Sequence, residues 1–451
     1  MGNSHSTVIG RTVRAAAAAA LIAALASCGV IAGQGGSQGR SDGGAGQGTA
    51  SASPAAPAGS PGTSASEPAV PPAAEQSGAA APTQSPAPSE STAPSQTPTP
   101  GTGPECRAVR CASVVVTGDM LVHTQLWEQA RLDALAAGSK GLDFGPLLEG
   151  QRRYIEQSDL AICHQETPVA APAGPFSAYP SFNVPPQIIA AAKGVGYQAC
   201  TTASNHTIDQ GTVGLVRTLD ALDASGLQHT GSYRTEADSN GVLILPTAAA
   251  DIAVIQATYG LNGQIPEQDW QVDMLDAPAM IAKAKKARQL GADIVLGVMH
   301  AGDEYASVPN AQQQEMAHAL VDSGQFTMIY GHHTHSVLPI EKYKGTWIVY
   351  GLGNGVTELS PTYAVNNEGL LVRAQFSQDA SGKWTAADLG WAPSVIVNAP
   401  YRWCSVASDA PQGVCASPAA DAETRQRTRA VVESMGAATA GAHELLISKE
   451  K

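Results

Sequence analysis

Asp293-Ile294-Val295-Leu296-Gly297-Val298-Met299-His300 is the stretch that decides the fold. Its apolar residues follow one another without alternation, as in a strand covered on both faces, and the run stops abruptly on a histidine. Helical patterns flank it, Pro278 to Leu290 before and Ala311 to Ser323 after, and a second apolar run, Phe326 to Tyr330, leads into Gly331-His332-His333-Thr334-His335. Strands separated by helices pair in parallel, because the helix supplies the crossover. The same design recurs upstream. Ser113 to Thr117 stops at Gly118-Asp119, Asp159 to Cys163 at His164-Gln165-Glu166, and Tyr197 to Thr202 at Ala203-Ser204-Asn205-His206, before a helical pattern over Gly211 to Ala224. Asp251 to Ile255 is a further strand. Trp347 to Tyr350, Gly369 to Phe376 and Trp391 to Val397 lack intervening helices and are expected to pair antiparallel. The class is α/β, and strand after strand hands over to Asp, Glu, Asn or His at its C-terminal end. Ligand sites of parallel sheets lie in the crevice outside those ends, so residues from Asp119 to His335 are expected to converge there.

As a set, the carboxylates of Asp119 and Glu166, the amide oxygen of Asn205 and the imidazoles of His206, His300, His333 and His335 are mixed oxygen and nitrogen donors. Without thiolate, such a set suits a divalent Mn, Fe, Zn or Mg ion. A carboxylate bridging two ions lets one activate water while the other holds an anionic oxygen of the substrate. Taken singly the signals are weaker. His333 and His335 point to the same side of an extended segment, but two surface histidines would look identical, and Ser-Asn-His strings commonly cap helices.

The chain has 451 residues, with 46 Gly and 30 Pro that are denser before residue 105 than after it. Arg11 and Arg14 precede an apolar run, Ala15 to Ala26, which reads as a secretory signal over residues 1–27. Leu25-Ala26-Ser27-Cys28 resembles a bacterial lipobox, with Cys28 as the lipidated residue; an ordinary signal peptide is the alternative. Residues 29–104 contain no Leu, Met, Phe, Trp or Tyr and cannot bury enough apolar surface to offset their ordering entropy. Residues 28–104 are therefore expected to be a disordered tether, holding an extracytoplasmic domain roughly 45–50 Å or more from a membrane. Besides Cys28, six cysteines remain. Close spacing favours Cys106–Cys111 and Cys404–Cys415, while Cys163 and Cys200 are either a third pair or buried free thiols. The net charge of −13 argues against a partner with a phosphate backbone, so nucleic acid is excluded.

Val116-Thr117-Gly118-Asp119-Met120-Leu121, Ala203-Ser204-Asn205-His206 with Asp209 and Gly211, His300-Ala301-Gly302-Asp303-Glu304-Tyr305, Gly331-His332-His333-Thr334-His335 and Tyr350-Gly351-Leu352-Gly353-Asn354 occur in this order. Together they resemble the CapA-type poly-γ-glutamate capsule biosynthesis proteins over roughly residues 112–356. That family is related to the calcineurin-like metallophosphoesterases. The resemblance implies a metallophosphatase-like four-layer α/β/β/α sandwich of two mixed sheets, over residues 105–400, with 401–451 as a C-terminal extension. It also implies Asp119, Glu166, Asn205, His300 and His335 as metal ligands, His333 on metal or substrate, and His206 as proton donor or oxyanion-stabilising cation.

The sequence departs from that pattern in places. The phosphoesterases open with Asp-x-His, whereas Asp119 is followed by Met120 and Leu121 and the nearest histidine is His123, a supporting residue if it faces the site. His164-Gln165-Glu166 stands where the family has Asn-Leu-Glu, and Ala301 replaces a Trp. Glu304 is read either as an acceptor orienting His300 or as a solvated loop acid, and Asp209 as the start of the following helix. Gly351 to Asn354 reads as a tight turn beside the site, and Arg425 to Met435 as a surface helix with Arg427 and Glu433 exposed. The leading expectation is a lipid-anchored protein of capsule or envelope-polymer biosynthesis, hydrolysing an ester or amide of an anionic polymer. The alternatives are a general metal-dependent phosphoesterase and a non-catalytic accessory protein that binds polymer or a polymer synthase.

Overall fold

Val114 and Val116 face one side of their strand and Val115 the other, and this alternation separates the layers of the molecule. The computed structural model describes residues 106–359 and 363–447. The signal peptide, Cys28 and the tether, expected over residues 1–104, lie outside them.

Strands β1 (Arg110–Met120), β2 (Leu160–Gln165), β3 (Ala199–Thr201) and β4 (Gln228–Thr230) pair in parallel in that order. On the other flank of β1 come β12 (Glu368–Gln378), β13 (Trp384–Val397) and β14 (Arg402–Ser405), all antiparallel. Short β11 (Asn354–Val356) and β15 (His443–Glu444) complete this nine-stranded sheet. The second, six-stranded sheet has the order β5 (Leu243–Pro246), β6 (Asp251–Thr258), β7 (Ile294–His300), β8 (Met328–His332), β10 (Thr346–Val349), β9 (Ile340–Tyr343). Both sheets are mixed. The expected antiparallel pairing holds for β12 and β13. Strand β10 differs, lying parallel to β8 and antiparallel only to β9, because the crossover through β9 returns it in the direction of β8.

Between the sheets lies a core of Val114, Val116, Ile162, Val254, Leu296, Val298, Tyr330, Trp347, Val372 and Trp391. The opposite face of the first sheet, with Val115, Ala161 and Cys163, packs on helices Gln187–Val195 and Gly211–Ala224. The opposite face of the second, with Val295, Ile329 and Ile348, packs on helices Ala277–Gln289 and Ala311–Asp322. The result is the four-layer α/β/β/α sandwich. Each fully buried Val, Ile or Leu contributes roughly 1.5–3 kcal/mol, so the double-sided burial of the central strands dominates the stability.

Two expectations are corrected here. Residues beyond 400 are not an appendage to the domain: β14 and β15 both pair with β13, and helix Pro418–Val432 packs on the same strand. Within that helix Arg427 is not an exposed position, since its guanidinium holds the buried Glu368 carboxylate. The cysteines form three disulfides, Cys106–Cys111, Cys163–Cys200 and Cys404–Cys415. Cys163 and Cys200 stand directly opposite each other on β2 and β3, which settles the open alternative in favour of a bond.

Candidate metal centre

Register assembles the site. Across the first sheet Asn354, Asp119, His164 and Thr201 stand side by side on β11, β1, β2 and β3. Across the second, Thr258, His300 and His332 do so on β6, β7 and β8. The two rows meet at the C-terminal ends of the parallel strands. His332 Nδ1 donates to Asp119 Oδ1 at 2.6 Å, and the His333 backbone N–H donates to Asp119 Oδ2 at 3.1 Å. His300 Nε2 donates to Asn205 Oδ1 at 2.8 Å, leaving its Nδ1 to accept from His164 Nε2 at 3.0 Å. Gln256 Nε2 then donates to His164 Nδ1 at 3.1 Å. Burial holds the pKa of both His164 and His300 well below the ordinary histidine range, consistent with these neutral tautomers.

His335 lies between two acids, Nδ1 at 3.3 Å from Asp119 Oδ2 and Nε2 at 3.6 Å from Glu166 Oε1. Burial alone would lower its pKa, but Glu166 and Asp119 outweigh that and push it up to about 9. Burial likewise would raise Asp119, yet the hydrogen bonds from His332 and His335 hold it well below the usual carboxylate range. Glu166 is fully buried, and burial drives its pKa well above the ordinary value. Neither of its oxygens has a hydrogen-bond partner among the described residues, and the same is true of His333 Nδ1.

Buried polar atoms are almost always satisfied, so an orphaned carboxyl group beside a second acid and an imidazole marks a place for a cation. Asp119, Glu166 and His335 bring one donor atom each within 4.8 Å of one another; so do Asp119, His164 and His332, and so do Glu304, His333 and His335. These oxygen and nitrogen donors, with every described cysteine tied up in a disulfide, fit a divalent cation.

The expected residues are placed as follows. Asp119, Glu166, Asn205, His300, His333 and His335 gather at the centre. His206 stands at its side with Nδ1 at 2.7 Å from Asp209 Oδ2. Asp209 therefore positions His206 rather than starting the helix, which begins at Gly211. His123 packs edge-on against Phe182 (ring centroids 5.5 Å), which packs edge-on against His206 (4.8 Å). Burial, then His335, lowers the His123 pKa to about 4. Glu304 is exposed and approaches His333 and His335, while both ring nitrogens of His300 are taken by His164 and Asn205. The segment carrying His333 and His335 is not extended: φ is 90° and 49°, left-handed values that cost roughly 1–3 kcal/mol each outside glycine. Asn354 clamps it, facing His335 Nδ1 with Oδ1 at 3.1 Å and donating from Nδ2 to the His335 carbonyl at 3.1 Å. His164, His332, Asp209 and Asn354 are the site residues that sequence reasoning did not assign.

Residues 113–358 match the family described as "Bacterial capsule synthesis protein PGA_cap". The chain belongs to this family. Among curated relatives, a PGA biosynthesis protein CapA of Bacillus subtilis is 31% identical over 206 residues, covering 43% of this chain and 50% of that protein. A capsule biosynthesis protein CapA of Bacillus anthracis is 29% identical over 175 residues, covering 38% and 42%. The chain spans about half the length of the curated relatives it matches. Among solved structures, the calcineurin-like phosphoesterase YfkN of Bacillus subtilis superposes with a TM-score of 0.40 at 14% identity, over 71% of this chain and 97% of that one.

Proposed function

We propose that this PGA_cap protein is a metal-dependent hydrolase acting on an ester or amide bond of an anionic capsule or envelope polymer, with poly-γ-glutamate as the first candidate. The observation that carries the reading is the buried Glu166 carboxyl group, without hydrogen-bond partners among the described residues, beside Asp119 and the His335 imidazole. Mn, Fe, Zn or Mg held by Asp119, Glu166 and His335 would polarise the scissile group and lower the pKa of the attacking water. His206 is the proton donor to the leaving atom: Asp209 fixes its Nδ1, so Nε2 is the nitrogen available to substrate. Asn354 keeps His335 in its left-handed conformation, and the Asn205–His300–His164 chain holds three site residues in fixed orientations. The same proposal has the protein outside the cytoplasm on a lipid at Cys28, and three disulfides, which form in oxidising compartments, support it.

The test is turnover of purified, metal-loaded protein on poly-γ-glutamate and, in parallel, on a chromogenic phosphodiester. Shortening of the polymer, reduced about 10²-fold or more by His206→Ala, supports the proposal. Phosphodiester turnover without polymer turnover would make the chain a general phosphoesterase. Neither reaction, with metal bound, would leave the polymer- or synthase-binding accessory role.

A further inference from the structure

Two loops border the centre. Tyr259 follows β6, and Asp303, Glu304 and Tyr305 follow β7. The Tyr259 ring lies 4.5 Å from that of His333, and the Tyr305 ring 6.1 Å from that of His335. A Glu304 oxygen comes within 4.8 Å of ring nitrogens of both histidines. The outer sides face solvent, Tyr259 being 39% and Tyr305 47% exposed. The rim is nonetheless anchored: Tyr259 N–H donates to the His300 carbonyl at 2.9 Å and Tyr305 N–H to the Thr334 carbonyl at 2.7 Å. Tyr305 is held at φ 63°, an unfavourable backbone for an aromatic residue, which the Thr334 bond maintains.

The charge of this rim is unusual for a protein of anionic polymers. Burial, then Glu304, then Glu166 raise the pKa of both phenols. A mouth shaped for phosphate or a run of carboxylates would present arginine forks or lysines. This one presents a carboxylate and two aromatic rings around the same pair of histidines, an arrangement that attracts an alkylammonium ion.

We infer that Glu304, Tyr259 and Tyr305 form a receptor for a primary ammonium group of the substrate, so that the site takes polymer ends rather than internal segments. The inference rests on the polymer reading above. A γ-linked glutamate chain carries a carboxylate on every residue and its only ammonium at the amino terminus. The acidic rim repels the body of such a chain and admits that end, which also relieves the repulsion expected between an acidic protein and an acidic polymer.

Isothermal titration of metal-loaded full-length protein with a synthetic γ-glutamyl oligomer, with a free or an N-acetylated amino terminus, tests this. Acetylation is expected to weaken binding about tenfold or more, and Glu304→Gln to bring the two oligomers within about twofold of each other without loss of metal. Tyr305→Leu should weaken only the free-amine oligomer. Equal affinity of wild type for both oligomers would overturn the receptor and leave the polymer reading standing. Loss of metal in Glu304→Gln would overturn it too, assigning Glu304 to the metal group. Binding of neither oligomer would sink the polymer reading itself, and the receptor with it.

Discussion

Asp209 reaches back three residues to His206 and also accepts the Phe182 backbone N–H at 2.8 Å, so one carboxylate fixes both the imidazole and the ring packed against it. Asp209→Asn keeps the shape but weakens the preference for a proton on Nδ1. We expect kcat to fall about 10²-fold while metal content stays at the wild-type level; an unchanged kcat would remove His206 from the proton transfer. The residues left unassigned at the sequence level share a physical cause. His164 lies near the end of β2, where the sequence directs attention to Glu166 just beyond the strand. His332 enters only because β7 and β8 are in register at His300 and His332, and no single strand carries that information. Asn354 is paired with Asp119 across β1 and β11, again a matter of register.

At the scale of elements, the parallel core was legible because its strands are continuous apolar runs broken by amphipathic helices. Helix Gly211–Ala224 falls where the pattern placed it, and Ala277–Gln289 and Ala311–Asp322 lie within one residue of expectation. The loops were not legible. The left-handed backbone at His333 and His335 is imposed from outside, by Asn354 and by the contact of the His333 N–H with Asp119. The C-terminal segment was also opaque, since helix Pro418–Val432 is polar along most of its length and its attachment is a salt bridge rather than an apolar stripe. Arg427→Met should therefore strand Glu368, whose side chain is only 5% exposed, and lower unfolding stability by about 2–3 kcal/mol in denaturant melts. Because the Arg427 side chain is itself 30% exposed, a larger loss is not expected. A change under about 0.5 kcal/mol would contradict the view that residues 402–447 are integral to the sheet.

At the scale of the whole molecule, two mixed sheets meet so that rows of polar residues at their C-terminal ends face each other, while the apolar residues below them form the shared core. The stability of that core is what keeps a carboxyl group without hydrogen bonds among the described residues and four left-handed non-glycine residues, Asn262, Tyr305, His333 and His335, in place around one centre. Three disulfides add constraint to the described part of the chain, each typically worth about 2–4 kcal/mol. Everything proposed for the chemistry depends on positive charge arriving beside Glu166. Elemental analysis of purified wild type and Glu166→Gln, after loading with Mn, Fe, Zn and Mg in turn and desalting, tests this most directly. The predicted result is stoichiometric retention of at least one of these ions by wild type, and its marked loss in Glu166→Gln with the circular dichroism spectrum unchanged. A correctly folded wild-type protein that retains none of the four would contradict it.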